Sequence, residues 1–147
     1  MEKFTLRAAT KKDAPVIRAL IYQVGINPFG LDWRHFTLAV DEKNTMIGCG
    51  QIKPHGDGTR ELASIAVQPG YHGQGIGSLL VQTLIESAVP PLYLTCRAEM
   101  ASFYTRFGFV ILTIEQMSPY FKWIAGMANA LRSVFPRIGE LKVMRRG

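Results

Sequence analysis

Ile65-Ala66-Val67-Gln68-Pro69-Gly70-Tyr71-His72-Gly73-Gln74-Gly75-Ile76-Gly77-Ser78-Leu79-Leu80 decides the fold of this chain. It opens as an apolar strand through Val67 and is stopped by Pro69. A glycine-rich turn follows, then the first apolar positions of an amphipathic helix at Ile76, Leu79 and Leu80. Glycines at 73, 75 and 77 carry no side chain to block close backbone approach, and they permit positive φ where the turn demands it. The N–H groups at the start of such a helix lack intrahelical partners and sit at the positive end of its dipole. This combination makes the turn a ready site for phosphate.

Two familiar phosphate loops fail on specific residues. A Walker A loop needs Gly-Lys before Ser or Thr, with the lysine reaching the β- and γ-phosphates. Gly77 is followed directly by Ser78, and no lysine lies in the turn. A dinucleotide fingerprint needs Gly-x-Gly-x-x-Gly and an acidic residue on the next strand. After Gly73 and Gly75 the third glycine would fall at Ser78, and the strand beginning near Leu92 has no acidic residue.

His72-Gly73-Gln74-Gly75-Ile76-Gly77, preceded by Ala66-Val67-Gln68-Pro69, resembles the acetyl-CoA loop of the GNAT N-acetyltransferases. That family usually has Arg or Gln, two spacers, Gly, one spacer, then Gly or Ala; His72 at the first position is a departure. The resemblance implies that backbone N–H groups from Gly73 through Gln74, Gly75, Ile76 and Gly77 to Ser78 hold the pyrophosphate. It also implies that Ile65, Ala66 and Val67 lie along the pantetheine arm, pairing as an added strand would. A plain strand-to-helix turn is the alternative for the loop alone.

A second motif adds weight. Ser102-Phe103-Tyr104-Thr105-Arg106-Phe107-Gly108-Phe109 is similar to the family's short helix with Tyr, followed by a Gly-Phe entry into a strand. Gly108 suits the position just past a helix end. The resemblance implies that Tyr104 lies near the thioester sulfur and protonates the departing thiolate; otherwise it is a core aromatic whose hydroxyl finds a partner. Many members have Asn seven residues before the tyrosine, where this chain has Arg97. Arg97 either contacts a phosphate or the acceptor, or pairs with Glu99 at the surface.

Acyl transfer needs a base, because a protonated amine has no lone pair. Glu61, at the start of the central strand, is the candidate; its other reading is a charged strand end. The thioester carbonyl gathers negative charge on attack, and the resemblance places a backbone N–H donor near Ile65, at a bulge. The expected reaction is transfer of acetyl from acetyl-CoA to a primary amine of a small molecule or a protein, directly within a ternary complex. A CoA-binding regulatory or interaction module without turnover is the rival.

The 147 residues amount to one domain, expected over 1–147 and able to bury roughly two thirds of the unfolded surface. Hydrophobic residues at 48% and charged residues at 19% exclude a disordered chain. No apolar run is long enough to span a membrane, and the N-terminus lacks a signal peptide's apolar core. A cytoplasmic setting is expected, with Cys49 and Cys96 as buried thiols. His35, His55 and His72 share no ligand spacing, so no metal is expected. Residues 118–147 hold six basic side chains against Glu140 alone, which reads first as a solvated basic face and second as one that steers anionic ligands, with nothing interleaved with aromatics that reads as specific nucleic-acid binding.

The pattern along the chain predicts strands at 4–8, 36–40, 46–52, 60–67, 92–96, 109–114 and 140–144. Helices are predicted from Thr10 to about Val24, 75–87, 99–107 and 119–135, with a short helix or turn at 29–35. The fold class is therefore α/β (α+β): a GNAT-like mixed, mostly antiparallel sheet of about seven strands with helices on both faces. Tyr120, Trp123, Ile124, Met127, Leu131 and Val134 recur at helical spacing, which predicts a stripe packed on the sheet. A lid, a homodimer contact or a membrane-surface contact are secondary readings of that helix.

Overall fold

Alternation along the first strands fixes which face each helix takes. The computed structural model describes residues 3–147. One compact unit takes in Met1–Lys53 and Leu62–Ala88, and a second takes in Pro54–Glu61 and Val89–Gly147.

In the first unit β1 (Phe4–Ala8) pairs antiparallel with β2 (Phe36–Asp41), in register from Phe4 opposite Asp41 to Ala8 opposite Thr37. β2 pairs antiparallel with β3 (Met46–Pro54), and the register shifts between Ala39 and Val40. Successive side chains in a strand point to opposite faces. Leu38, Val40 and Cys49 therefore pack with Ile17, Leu20 and Ile21 of α1 (Ala14–Val24). Ala39 and Ile47 pack instead with Ile76 and Leu80 of α2 (Ile76–Ser87). Each fully buried Leu or Ile here stabilises the fold by about 1.5–3 kcal/mol.

The start of α1 is fixed as its sequence predicts. Thr10 N and Oγ1 both donate to Asp13 Oδ2, at 2.7 and 3.0 Å. Arg7 clamps the same carboxylate with both terminal nitrogens, at 2.8 and 3.0 Å. On the other face, α2 can lie close to β3 because β3 carries glycines. A β-carbon on Gly50 would stand 2.6 Å from Ile65 Cδ1 and 2.8 Å from Leu84 Cδ1.

β4 (Arg60–Val67) begins in the second unit, where Glu61 pairs parallel with Tyr93 of β5 (Leu92–Arg97). β7 (Leu141–Arg146) runs antiparallel to β5 and to the short β6 (Val110–Ile111). The strands hydrogen-bond in the order β1-β2-β3-β4-β5-β7-β6, a seven-stranded, mostly antiparallel sheet. With α3 (Ala101–Thr105) and α4 (Pro119–Val134) the described residues hold four α-helices. No helix among them is long and apolar enough to cross a membrane.

Several boundaries differ from those the sequence predicts. The strand predicted over 109–114 is ladder only at Val110–Ile111. Past it, Thr113 and Gln116 form their own capped turn, with Thr113 N donating to Gln116 Oε1 at 2.9 Å. The helix predicted over 99–107 is a single turn at Ala98–Met100 leading into α3. The segment 29–35 keeps only the turn Trp33–His35, capped by Asp32 accepting from Arg34 N at 3.0 Å.

The larger correction concerns α4. Trp123, Met127, Leu131 and Val134 are 60%, 45%, 46% and 67% exposed, so of the predicted stripe only Tyr120 and, in part, Ile124 are covered. Phe121 is the fully buried residue, in a cluster with Tyr93, Leu112 and Val143, and Tyr120 and Ala125 pack against it. At about 100° per residue, Phe121 and Trp123 point some 200° apart, so seating the first turns out the line from 123 to 134.

Candidate active site

In the first unit the chain leaves β4 at Val67, makes one turn over Pro69–Tyr71 and enters the glycine loop. Gly73 and Gly75 hold φ of 82° and 79°, values that an ordinary side chain resists. Gly75 caps α2, its carbonyl accepting from Leu79 N at 3.0 Å. Ile76, almost wholly buried, anchors the loop, while Gly73, Gln74 and Gly75 are exposed. A β-carbon on Gly73 or Gly75 would meet no atom within 4 Å. The side-chain positions of these two glycines therefore face open space, so nothing on the loop itself crowds a bulky anion that approaches it. His72 Nε2 lies 3.1 Å from the Val67 carbonyl. A carbonyl only accepts, so Nε2 carries the hydrogen, and the imidazole ties the loop back to the strand.

β4 departs from regular extension just before Ile65. Ser64 holds φ of 61°, rare for a residue with a side chain and a mark of strands that re-aim a backbone group. Its surroundings hold it there. Gln51 Nε2, wholly buried, donates to Ser64 Oγ at 2.8 Å and to the Gly30 carbonyl at 3.2 Å. Cys49 Sγ lies 3.5 Å from the Ser64 carbonyl. Burial pushes the Cys49 thiol up to about 12, so it is neutral at pH 7. Ile65 and Val67 are half-buried and Ala66 is buried.

In the second unit Glu61 is a buried carboxylate, 6% exposed. His55 Nε2 lies 2.7 Å from its Oε1, and Thr95 Oγ1 lies 3.4 Å from its Oε2. A tight turn, with Gly58 N donating to the His55 carbonyl at 3.0 Å and His55 N to the Thr59 carbonyl at 2.9 Å, folds these two residues together. The His55 ring stacks on Tyr120. Neither His55 nor Tyr120 was a predicted site residue. His55 was within reach of the sequence: with the turn at 56–58, residues 55 and 61 become diagonal neighbours across a hairpin. Tyr120 lies 59 residues beyond Glu61 and left no local signal.

Tyr104 sits in α3, half-buried, its ring edge-on to Phe109 at 6.2 Å. Its carbonyl accepts from Phe107 N at 3.0 Å, closing the helix before Gly108. Burial, and then the neighbouring Cys96, push the phenol up to about 12. Cys96 is raised to about 11 by burial and by Glu99. Both groups are therefore protonated at neutral pH. Arg97 is exposed at the end of β5, and among the described residues the alternative pairing with Glu99 does not form. No group of three or more His, Cys, Asp or Glu among those residues is arranged to hold a metal ion.

Residues 8–109 match the sequence profile of the acetyltransferase (GNAT) family, covering both the glycine loop and the Phe-Tyr…Gly-Phe motif. The chain belongs to the GNAT family. Its fold is shared with Rv2747 from Mycobacterium tuberculosis, solved in complex with CoA and NLQ, at a TM-score of 0.73 and 22% identity over 97% of this chain and 98% of that one. An acyl-CoA N-acyltransferase from Pseudomonas aeruginosa matches over 100% of both chains, at a TM-score of 0.71 and 18% identity. N-acetylglutamate synthase from Neisseria gonorrhoeae, complexed with coenzyme A and N-acetyl-glutamate, matches at a TM-score of 0.72 and 18% identity. That match takes 99% of this chain but spans only 35% of the Neisseria protein. At these identities the likeness is one of fold.

GNAT membership supports acyl transfer as the general reaction class. Within that family this chain departs at His72, which braces the loop, and at Arg97, which is free to meet a ligand.

Proposed function

We propose that this GNAT chain transfers acetyl from acetyl-CoA to a primary amine of a small molecule or a protein, directly within a ternary complex. The observation that carries the reading is the open loop at Gly73 and Gly75, with positive φ at the head of α2. Backbone N–H groups from Gly73 to Ser78 would hold the pyrophosphate, helped by the helix dipole. Ile65, Ala66 and Val67 would run beside the pantetheine arm, and Arg97 would offer a charge to a phosphate or to the acceptor.

The proton ledger assigns the remaining roles. The ammonium gives one proton to Glu61, directly or through water, and the amine nitrogen then attacks the thioester carbonyl. The C–N bond forms, negative charge builds on the carbonyl oxygen, and the backbone donor at Ile65 stabilises it. The C–S bond then breaks, the nitrogen sheds its second proton to solvent to leave a neutral amide, and Tyr104 gives its proton to the thiolate and recovers one from solvent. A phenol titrating near 12 is a full reservoir at pH 7. Desolvation opposes a buried thiolate as it opposes a buried phenolate, which brings the two basicities closer.

The excess of basic side chains over 118–147 favours an acceptor that also carries a carboxylate. L-Glutamate is accordingly the first amine to try, followed by other amino acids, polyamines and lysine peptides. Calorimetry with acetyl-CoA, followed by thiol release across this panel, tests the reading. Binding and amine-dependent CoA release are expected. Binding without release from any amine would favour a CoA-responsive module, and absence of binding would overturn the reading.

A further inference from the structure

Glu61 is gripped unequally at its two oxygens. Oε1 lies 2.7 Å from His55 Nε2, while Oε2 has only Thr95 Oγ1 at 3.4 Å. The His55 and Glu61 side chains are 7% and 8% exposed. An ionised carboxylate so far from water needs a donor, and His55 is the one at full hydrogen-bonding distance. A neutral imidazole with its hydrogen on Nε2 satisfies Oε1 and leaves Oε2 the more available base.

The imidazole is itself held in place. Tyr120 stacks on it with centroids 3.6 Å apart and planes 18° apart, and Phe121 meets it edge-on at 5.7 Å. Tyr120 N donates to Asp57 Oδ2 at 3.0 Å, so the turn that carries His55 also fixes the residue covering it. Asp57 Oδ1 is taken by Thr59 N and Oγ1, at 3.0 and 2.6 Å. The groups facing His55 are therefore the Glu61 carboxylate from β4 and the Tyr120 and Phe121 rings from α4.

Building on the reading of Glu61 as the base, we propose that His55 is its positioning residue: Nε2–H holds Oε1, so that Oε2 is the atom that takes the amine's proton. The balance is simple. The first proton passes from the ammonium to Oε2, and the C–N bond forms. The C–S bond breaks to a thiolate that Tyr104 protonates, the nitrogen loses its second proton to solvent, and Glu61 returns the first proton to solvent after the product leaves. His55 keeps its hydrogen throughout. A purely structural clamp across the hairpin would affect folding but not the chemical step.

The test uses isosteres. A glutamine can put an amide N–H where Nε2 stands, whereas asparagine reaches only as far as Nδ1. On the fastest amine of the panel at saturating acetyl-CoA, H55N and H55A should lower kcat on the order of 10-fold or more, with H55Q within a few-fold of wild type. Acetyl-CoA affinity should be unchanged in all three. In an E61Q background the H55N change should lower kcat by less than about twofold, since its effect runs through the carboxylate. Equal rates for H55Q and H55N overturn the proposal, as does an undiminished H55N effect in E61Q. An E61Q variant at wild-type rates instead sinks the base reading beneath it. Should H55A fail to fold, the Gln–Asn comparison decides.

Discussion

The Tyr120 ring lies flat on the His55 imidazole, 3.6 Å between centroids, and so ties the first turn of α4 to the hairpin ahead of Glu61. α4 therefore does more than fill space between β6 and β7. Its seated end covers a buried histidine–carboxylate pair, and its far end runs out with Met127, Leu131 and Val134 exposed. Under the proposed mechanism, the base Glu61 and the seating of α4 both depend on the His55–Tyr120 contact.

Acetyl-CoA should raise the melting temperature, because a ligand at 100 times its Kd stabilises by about 2.7 kcal/mol. Gly75→Glu should abolish that shift by placing bulk and negative charge in the open cradle. Gly75→Asn, which tolerates the φ of 79°, should fold better than the Glu variant. Calorimetric binding in Gly75→Glu equal to wild type would move the pyrophosphate elsewhere.

Tyr104→Phe should lower turnover on the order of 10²-fold with acetyl-CoA affinity nearly intact. Because the phenol titrates near 12, this residue should cause no alkaline fall in rate until the pH passes about 10. The raised value also means that its share of stability is present below about pH 10 and is lost as pH climbs through the folded value. Equal turnover in the variant would reassign Tyr104 to packing.

Glu61→Gln should slow the reaction at neutral pH. Raising the pH should recover part of the rate as free amine becomes available, while acetyl-CoA binding stays nearly unaffected. Wild-type rates across the whole pH range would leave the mechanism to positioning and the backbone donor at Ile65.

Asp13→Ala tests the entry to α1. Hydrogen bonds from Arg7 hold the Asp13 carboxyl well below the usual range, ahead of the opposing cost of burial. A depressed carboxylate contributes stability above its unfolded value near pH 4, and that contribution fades as pH falls through the folded value. The variant should lose about 1 kcal/mol at pH 7 and much less at pH 2. A difference that does not change with pH in denaturant melts would assign the loss to the helix cap alone.

The sequence by itself determined the short-range parts. A strand, Pro69, three alternate glycines and an apolar helix onset dictate the loop, since turn geometry is set by residues a few positions apart. The same holds for the end of α3 at Gly108 and for the Thr10–Asp13 entry to α1. The extra apolar line of α4 was visible too, but not which of its two apolar sides would be seated. That was settled by Tyr93, Leu112 and Val143, which meet Phe121 and leave Trp123 outside. The grip on Glu61 likewise depended on tertiary structure. A buried carboxylate takes the donors that packing brings to it, and here those are His55 across a hairpin, Thr95 from the neighbouring strand and, covering the imidazole, Tyr120 from a helix 59 residues further on.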